Sequence, residues 1–466
     1  MYQRLKANLA LRGWQGLPYG IMDTKTGKTA FLDTVTFQAA GFCDGEMNLG
    51  SPLVLPAHRA AIDKLSVAGM IEECLQGAGL QNWQKYHSSP GRYAALAHWS
   101  ITGRCNLRCR HCYMSAPQAK YGELTTGECL KIIDQISDAG IGSVSLTGGE
   151  PLVRKDFWEL VDALLARRIV ISQIYTNGLL VTDELLEQLK SRGISCSFSL
   201  SFDGCGCHDW LRGAVGAEMA VIEAIRKIRL HGFEVGIETA LYSKNLPRMG
   251  ETYELLKSLG VHRWKMSPAM DVGNWQEEQG RYAIPMDELY AAYLDLIKLH
   301  QRDDTSIALM LGGFYYGKQH SKDYLIPLIK FDGTESSLRQ VACRSCRLNL
   351  YIMADGKLLP CIPMTGSAVE PEMPNLMEST IVQALSNSRL FDRIDTRVEQ
   401  VLANNPECAK CDHRLRCGGG CRACAMVFSG DYFGADPYSC YFFKNGYEQK
   451  IRDLVLKCRQ KALYGG

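Results

Sequence analysis

No stretch of this sequence is long and apolar enough to cross a bilayer, because no apolar run reaches the roughly 18 residues that a span needs. Also missing is an excess of charge of one sign. Lys and Arg number 52 against 50 Asp and Glu, a net charge of +2. That near-balance leaves no basic footprint for nucleic acid and no pull toward an anionic membrane surface. The opening residues, Met1 to Asn8, hold no apolar core and no cleavage site, so no secretory signal is expected. Hydrophobic residues at 46% and charged residues at 22% are ordinary globular composition. The length allows about two to four domains with buried cores.

What is plentiful is cysteine, at 19 residues. In a long chain without a secretory signal, so many thiols point away from disulfides and toward metal binding or catalysis. A reducing cytoplasm would suit oxygen-sensitive centres of that kind. The densest stretch is Cys105-Asn-Leu-Arg-Cys109-Arg-His-Cys112. Three thiolates in one short loop can face a common centre, leaving one corner of a tetrahedral or cubane site open for a substrate or cofactor. The alternative is a structural zinc loop whose fourth ligand lies elsewhere. A strand-like run ending in Trp99-Ser100-Ile101 leads into this loop, and Gly148-Gly149-Glu150-Pro151 follows the next such run, Ser143 to Thr147.

That order of motifs resembles the radical S-adenosylmethionine (SAM) superfamily. The resemblance implies that Cys105, Cys109 and Cys112 hold a [4Fe–4S] cluster whose open iron chelates SAM. One electron from the cluster would cleave SAM to methionine and a 5'-deoxyadenosyl radical. From about 94 to 302 the sequence alternates strand and helix patterns. Strand-like runs are Ala94–Ile101, Ser143–Thr147, Ile169–Thr176, Ser195–Ser201, Glu234–Leu241 and Arg263–Pro268. Helical patterns between them include Thr126–Ala139, Phe157–Arg168, Thr182–Arg192 and Leu246–Leu259, and Pro285–Arg302 closes the set. The expected fold class is α/β: a partial (β/α)6 TIM-like barrel, with the active site at the strands' C-terminal ends. The family binds the SAM amino group at the segment matching Gly148 and Gly149; Pro151 completes that motif, and Glu150 is either a carboxylate standing behind the ligand contacts or a solvated loop acid. Asn177, in Tyr175-Thr-Asn-Gly178, is a candidate ribose or adenine contact or else a turn former. Ser201, in Ser201-Phe-Asp-Gly204, and the downstream Arg212 match the family's SAM-contacting serine turn and arginine, and Arg212 suits a bidentate grip on a carboxylate. His111 takes the position where the family packs a flat side chain near adenine, though aromatic residues are commoner there.

Residues 303–340 show no clear repeat and read as a bridge. Residues 341–466 carry a second cysteine constellation. Cys343-Arg-Ser-Cys346 precedes Cys361; then Cys408, Cys411, Cys417 and Cys421 run as C-x2-C-x5-C-x3-C, and Cys440 closes the set. This resembles the iron–sulfur SPASM domain of radical SAM maturases, which implies two auxiliary [4Fe–4S] clusters and three clusters in all. By order, Cys343, Cys346, Cys361 and Cys421 would ligate one, and Cys408, Cys411, Cys417 and Cys440 the other. Cys424 is a spare that could exchange with Cys421, and Cys205 and Cys207 flank the serine turn without an assigned role.

Residues 1–90 read as a separate module. Tyr19–Asp23 and Lys28–Leu32 flank a turn, Thr34–Cys43 and Ala57–Ala68 are helical, and 75–92 reads as a linker. The arrangement resembles the winged-helix-like leader-recognition modules of peptide-modifying enzymes, which bind a leader as an added strand. The expectation is therefore a radical SAM peptide maturase forming a thioether or carbon–carbon crosslink. Its partners would be a precursor peptide, gripped by the N-terminal module, and a reductant such as flavodoxin or ferredoxin. A sulfatase maturase is one alternative, but its usual Asp after the cysteine matching Cys361 is Ile362 here. Tetrapyrrole or quinone cofactor synthesis is another.

Overall fold

The computed structural model describes residues 1–116, 120–303 and 306–464. The N-terminal segment folds around a core of its own. β2 (Leu9–Trp14), β3 (Leu17–Asp23) and β4 (Thr29–Phe31) form an antiparallel meander, extended by β6 (His87–Ser88) beside β2. β1 (Gln3–Leu5) pairs with β5 (Ile71–Glu73). Helices α1 (Thr34–Phe42) and α2 (Pro56–Val67) lie over this framework. Asp33 caps α1 by accepting from Thr36 N at 2.9 Å, and Pro56 occupies the first turn of α2, where its missing N–H costs nothing. Leu5, Leu11, Ile21, Ile62, Leu65 and Ile71 are buried together. The stretch expected as a linker is tied in through β6 and through Gln84, whose side chain donates to the carbonyls of Lys6 and Leu9.

The six strands expected in the alternating region all form, as β7 (Leu96–Ser100), β8 (Ser143–Thr147), β9 (Val170–Thr176), β10 (Ser197–Ser201), β11 (Glu234–Leu241) and β12 (Arg263–Pro268). Each pairs in parallel with the next. Helices α3 (Thr126–Asp138), α4 (Phe157–Ala166), α5 (Asp183–Ser191), α7 (Ala217–Leu230) and α8 (Met249–Ser258) cross between them, with the short α6 (His208–Arg212) after β10. α3 begins at a reciprocal cap between Thr125 and Glu128 and buries Cys129, Ile132, Ile133 and Ile136 on one face.

The parallel run extends past these six at both edges. β13 (Ala308–Leu311) adds beside β12, and β16 (Asn349–Ile352) adds in parallel beside β7. The pairs β14 (Tyr315–Gly317) with β15 (Tyr324–Leu325), and β16 with β17 (Leu358–Leu359), finish an eleven-stranded, mostly parallel sheet. So the residues without a visible repeat, 303–340, supply sheet strands, and the first strand of the cysteine-rich C-terminal region is part of the barrel sheet. The outward faces, including Phe198, Ile237, Trp264 and Leu309, are buried under the helices. The inward faces carry polar residues, and rings on β7, β9 and β16 meet there: His98 stands 4.9 Å from Tyr175 and 5.8 Å from Tyr351.

The N-terminal segment docks on the α3–β8 corner of this sheet. Buried Trp14 donates from Nε1 to Ala139 O at 3.1 Å, and Ser89 Oγ donates to Asp138 O at 2.7 Å. Among the described residues, no helix is long and apolar enough to cross a membrane.

Candidate functional site

The loops leaving the C-terminal ends of β7 to β10, together with Glu238 on β11, enclose an open cleft of about 790 Å³, solvent included. Cys105, Cys109 and Cys112 stand on one side of it, and His111, Gly148, Gly149, Asn177, Ser201 and Arg212 line the rest. Chain segments far apart in sequence thus meet in one place. Glu150 and Pro151 do not reach this wall. They turn behind it, because Pro151 opens a 3-10 turn and Glu150 is fully buried.

The two glycines are required by the protein itself. Gly148 has φ +147°, and a Cβ there would stand 2.4 Å from Thr102 O. A Cβ at Gly149 would stand 2.1 Å from Arg104 O. Only glycine lets this loop close on the start of the cysteine loop, and the backbone then bonds it in place: Gly149 N donates to Thr102 O at 2.9 Å, and Glu150 N to Arg104 O at 2.8 Å.

Glu150 is the brace beneath the cleft. Its carboxylate accepts from Asn177 N at 2.7 Å, Thr176 Oγ1 at 2.8 Å and Leu152 N at 3.2 Å. Burial pushes its pKa up to about 7 against those three donors. Asn177 Nδ2 in turn donates to Asn106 Oδ1 at 2.7 Å, inside the cysteine loop, while its Oδ1 accepts from Leu179 N. Asn177 is therefore both turn former and cleft wall.

On the opposite side, α6 turns Arg212 back toward β10. Its Nε donates to Asp203 Oδ2 at 2.6 Å and its Nη2 to Asp203 Oδ1 at 3.1 Å. The fork expected to grip a ligand is occupied by a buried carboxylate, and only Nη1 faces the cysteines, 3.9 Å from Cys109 Sγ. Asp203 also accepts from Ala240 N at 3.0 Å and has His208 Nδ1 at 3.1 Å. Burial would raise its pKa, but Arg212 and His208 hold it well below the usual carboxylate range. His111 is kept neutral, pushed down to about 3 by burial and by Arg212.

The C-terminal cysteines gather in two places. Cys408, Cys411, Cys417 and Cys440 line one open pocket of about 530 Å³, solvent included, together with His413 and Phe443. Elsewhere the thiols of Cys343, Cys346 and Cys361 are linked by hydrogen bonds in series. Cys421 bonds Cys424, which lies near Cys361, so five cysteines share that site and Cys424 is one of them. Among the described residues, no three Cys, His, Asp or Glu side chains close on one metal ion. A four-iron cube spreads its thiolates further than a single zinc does, and the three sets have the donor type and grouping for it.

Sequence reasoning missed part of the wall. Tyr175, Ser199 and Glu238 also face the cleft. Their signal was a period of two: Ser197, Ser199 and Ser201 alternate with Phe198 and Leu200, and Gly236 and Glu238 with Val235 and Ile237.

Comparison with known proteins gives this cleft its class. Residues 99–265 match the model of the radical SAM superfamily. These residues form a radical SAM domain, and the protein is a radical SAM enzyme; a domain of this class works with SAM and a [4Fe–4S] cluster. The chain is 28% identical over 358 residues to an AdoMet-dependent heme synthase of Methanosarcina barkeri, covering 74% of this chain and 96% of that one. It is 26% identical over 348 residues to a PqqA peptide cyclase of Granulibacter bethesdensis, covering 72% and 84%. In fold it resembles Streptococcus suis SuiB solved with its precursor peptide SuiA, with a TM-score of 0.67, 16% identity, and coverage of 94% and 99%.

Proposed function

We propose that this enzyme modifies a ribosomally made precursor peptide, installing a thioether or carbon–carbon crosslink, and that its C-terminal region is a SPASM domain with two auxiliary clusters. The observation that carries the reading is the N-terminal segment. It has its own core and its own sheet, and it precedes the radical SAM domain. The likeness to SuiB covers 94% of the chain, so it takes in most of this segment, whereas the match to the curated heme synthase covers 74%. The PqqA peptide cyclase among the relatives supports the same substrate class.

The geometry supports the following roles. Cys105, Cys109 and Cys112 line the cleft together and would hold the reducing cluster. When bound, that cluster supplies the electron that splits SAM into methionine and a 5'-deoxyadenosyl radical, a chemistry no side chain of ordinary pKa provides. Gly148, Gly149, Asn177 and Ser201 form the wall against which SAM lies. Arg212, anchored by Asp203, sets a fixed positive charge beside the Cys109 sulfur. Glu150 positions the loops carrying Gly149 and Asn177 rather than touching the ligand. The buried floor and the facing loops keep the reacting atoms in register and away from bulk solvent. Cys343, Cys346, Cys361 and Cys421 hold the first auxiliary cluster, and Cys408, Cys411, Cys417 and Cys440 the second. Flavodoxin or ferredoxin delivers the electron.

A second reading, tetrapyrrole chemistry, is favoured by the heme synthase match. The two are separated by product analysis. Incubation of the reduced enzyme with SAM and a precursor peptide encoded beside its gene is expected to remove one hydrogen pair per crosslink, read by mass spectrometry. An unaltered peptide, together with conversion of a tetrapyrrole supplied in a parallel incubation, would support the second reading instead.

A further inference from the structure

The inner face of the sheet next to the cleft holds a charged group that none of the roles above uses. Its residues lie on β11, whose Glu238 lines the cleft, and on β12 beside it. Glu238 is paired in register with Lys265, and Lys265 Nζ stands 3.0 Å from Glu238 Oε2. Arg263 lies below, its Nη2 3.4 Å from Ser199 Oγ and 3.9 Å from Glu238 Oε1. Gly236 leaves the room for that guanidinium: a Cβ there would sit 2.8 Å from its Nη2.

Three features mark this as a binding surface rather than a closed structural network. First, Lys265 is flanked by paired strands on both sides, yet its side chain remains 45% accessible, so it faces solvent-filled space inside the curve of the sheet. Second, the charges do not balance. Two cations face one carboxylate, and the neighbouring His98 adds no negative charge. Its Nδ1 shares a hydrogen bond with Ser145 Oγ, and burial together with Lys265 pushes its pKa down to about 4. Third, donors are left over. Arg263 Nε and Gln173 Nε2 are buried with no partner. A buried donor left unpaired costs about 1–3 kcal/mol, a penalty that a bound acceptor relieves. Glu238, which also lines the cleft, makes this surface continuous with the space beside Ser201.

We propose that Lys265, supported by Arg263, holds a carboxylate of the substrate on the β11–β12 side of the cleft. The geometry places the anchored group one strand away from the cofactor wall. An anionic substrate held there presents the carbon skeleton next to its carboxylate toward the space over Cys105, Cys109 and Cys112. Specificity follows from charge, since one added negative charge completes the pairing of Lys265, Arg263 and Glu238, and a neutral amide leaves a cation unpaired. The identification of the carboxylate's owner rests on the proposed function: a peptide offers an acidic side chain or its C-terminus, and a tetrapyrrole offers a propionate.

The test uses the anaerobically reconstituted, SAM-saturated holoenzyme, so that the SAM wall is already filled. It is titrated calorimetrically with N-acetylglutamate against its neutral isostere N-acetylglutamine, and with a porphyrin tetracarboxylate against its methyl ester. In at least one pair the acid is expected to bind about tenfold or more tightly than its neutral partner, the scale of one charge-assisted hydrogen bond. Lys265→Met should bring the two forms to near equality, and Lys265→Arg should keep the preference, which separates lost charge from a damaged fold. A preference confined to the porphyrin pair would uphold this site and overturn the peptide reading. Equal or undetectable binding in both pairs, or a preference that survives Lys265→Met, would overturn the site and leave the peptide reading to the leader-binding measurement.

Discussion

Arg212 spends two of its nitrogens on Asp203, at 2.6 and 3.1 Å, and reaches the cysteine loop with the third. Both side chains are largely buried. The arginine is thus positioned before any ligand arrives, and its charge is fixed within 3.9 Å of Cys109 Sγ. A buried ion pair contributes modestly as a pair, but breaking it by removing one partner strands a charge in low dielectric.

Asp203→Leu is therefore expected to destabilise the protein by about 3–5 kcal/mol, and Arg212→Met to cost a similar amount. The double variant should recover a large part of the loss, because no charge is left alone. Denaturant unfolding under anaerobic conditions reads all three. Because the folded-state pKa of Asp203 is depressed, its share of stability is present above the ordinary carboxylate range and is lost as pH falls below it. Additive single-variant losses would show that the contact is incidental.

Glu150 carries the opposite sign. Its folded-state pKa is raised, to about 7, so its contribution is fully present below the unfolded value and is lost as pH rises through 7. A rise of that size corresponds to about 3 kcal/mol. Relative to Glu150→Gln, the native protein should lose roughly that amount between pH 5 and pH 8, measured as the difference in unfolding free energy. A pH-independent difference would mean that the carboxylate keeps one charge state across the range.

The cysteine sets predict iron in steps. Fully reconstituted protein should hold about twelve irons. Changing Cys105, Cys109 and Cys112 to Ala should remove about four irons and abolish SAM cleavage. Changing Cys408, Cys411, Cys417 and Cys440 to Ala should remove a different group of about four. Iron analysis with Mössbauer spectroscopy distinguishes these from zinc, and protein that takes up zinc without iron would contradict the assignment.

Much of the architecture was legible because its signals are local. The six strands β7 to β12 and most of their helices follow from periodicity within a dozen or so residues. β13 was not legible as a sheet strand, nor was the pairing of β16 with β7. β13 and β16 are each only four residues long, and β16 pairs with β7, whose residues lie about 250 positions earlier in the chain. The cleft residues were legible as motifs, but their mutual contacts were not. Asp203 stood inside the quoted serine turn, yet nothing in the order of residues says that α6 folds Arg212 back onto it. Nor does the sequence reveal that Glu150 points beneath the cleft, since that depends on where Thr176 and Asn177 end the next strand. Lys265 escaped notice because alternating polar residues in a barrel strand look the same as a solvent-facing edge.

The central claim is that the N-terminal segment captures a leader while the barrel performs the chemistry. Its most direct test measures precursor affinity and SAM cleavage side by side, for the intact protein and for protein lacking residues 1–90. The residues assigned to SAM all lie beyond this segment. The account predicts that uncoupled SAM cleavage survives the deletion, while precursor affinity falls by about tenfold or more as strand-addition contacts are lost. Equal precursor affinity in the two proteins would contradict it.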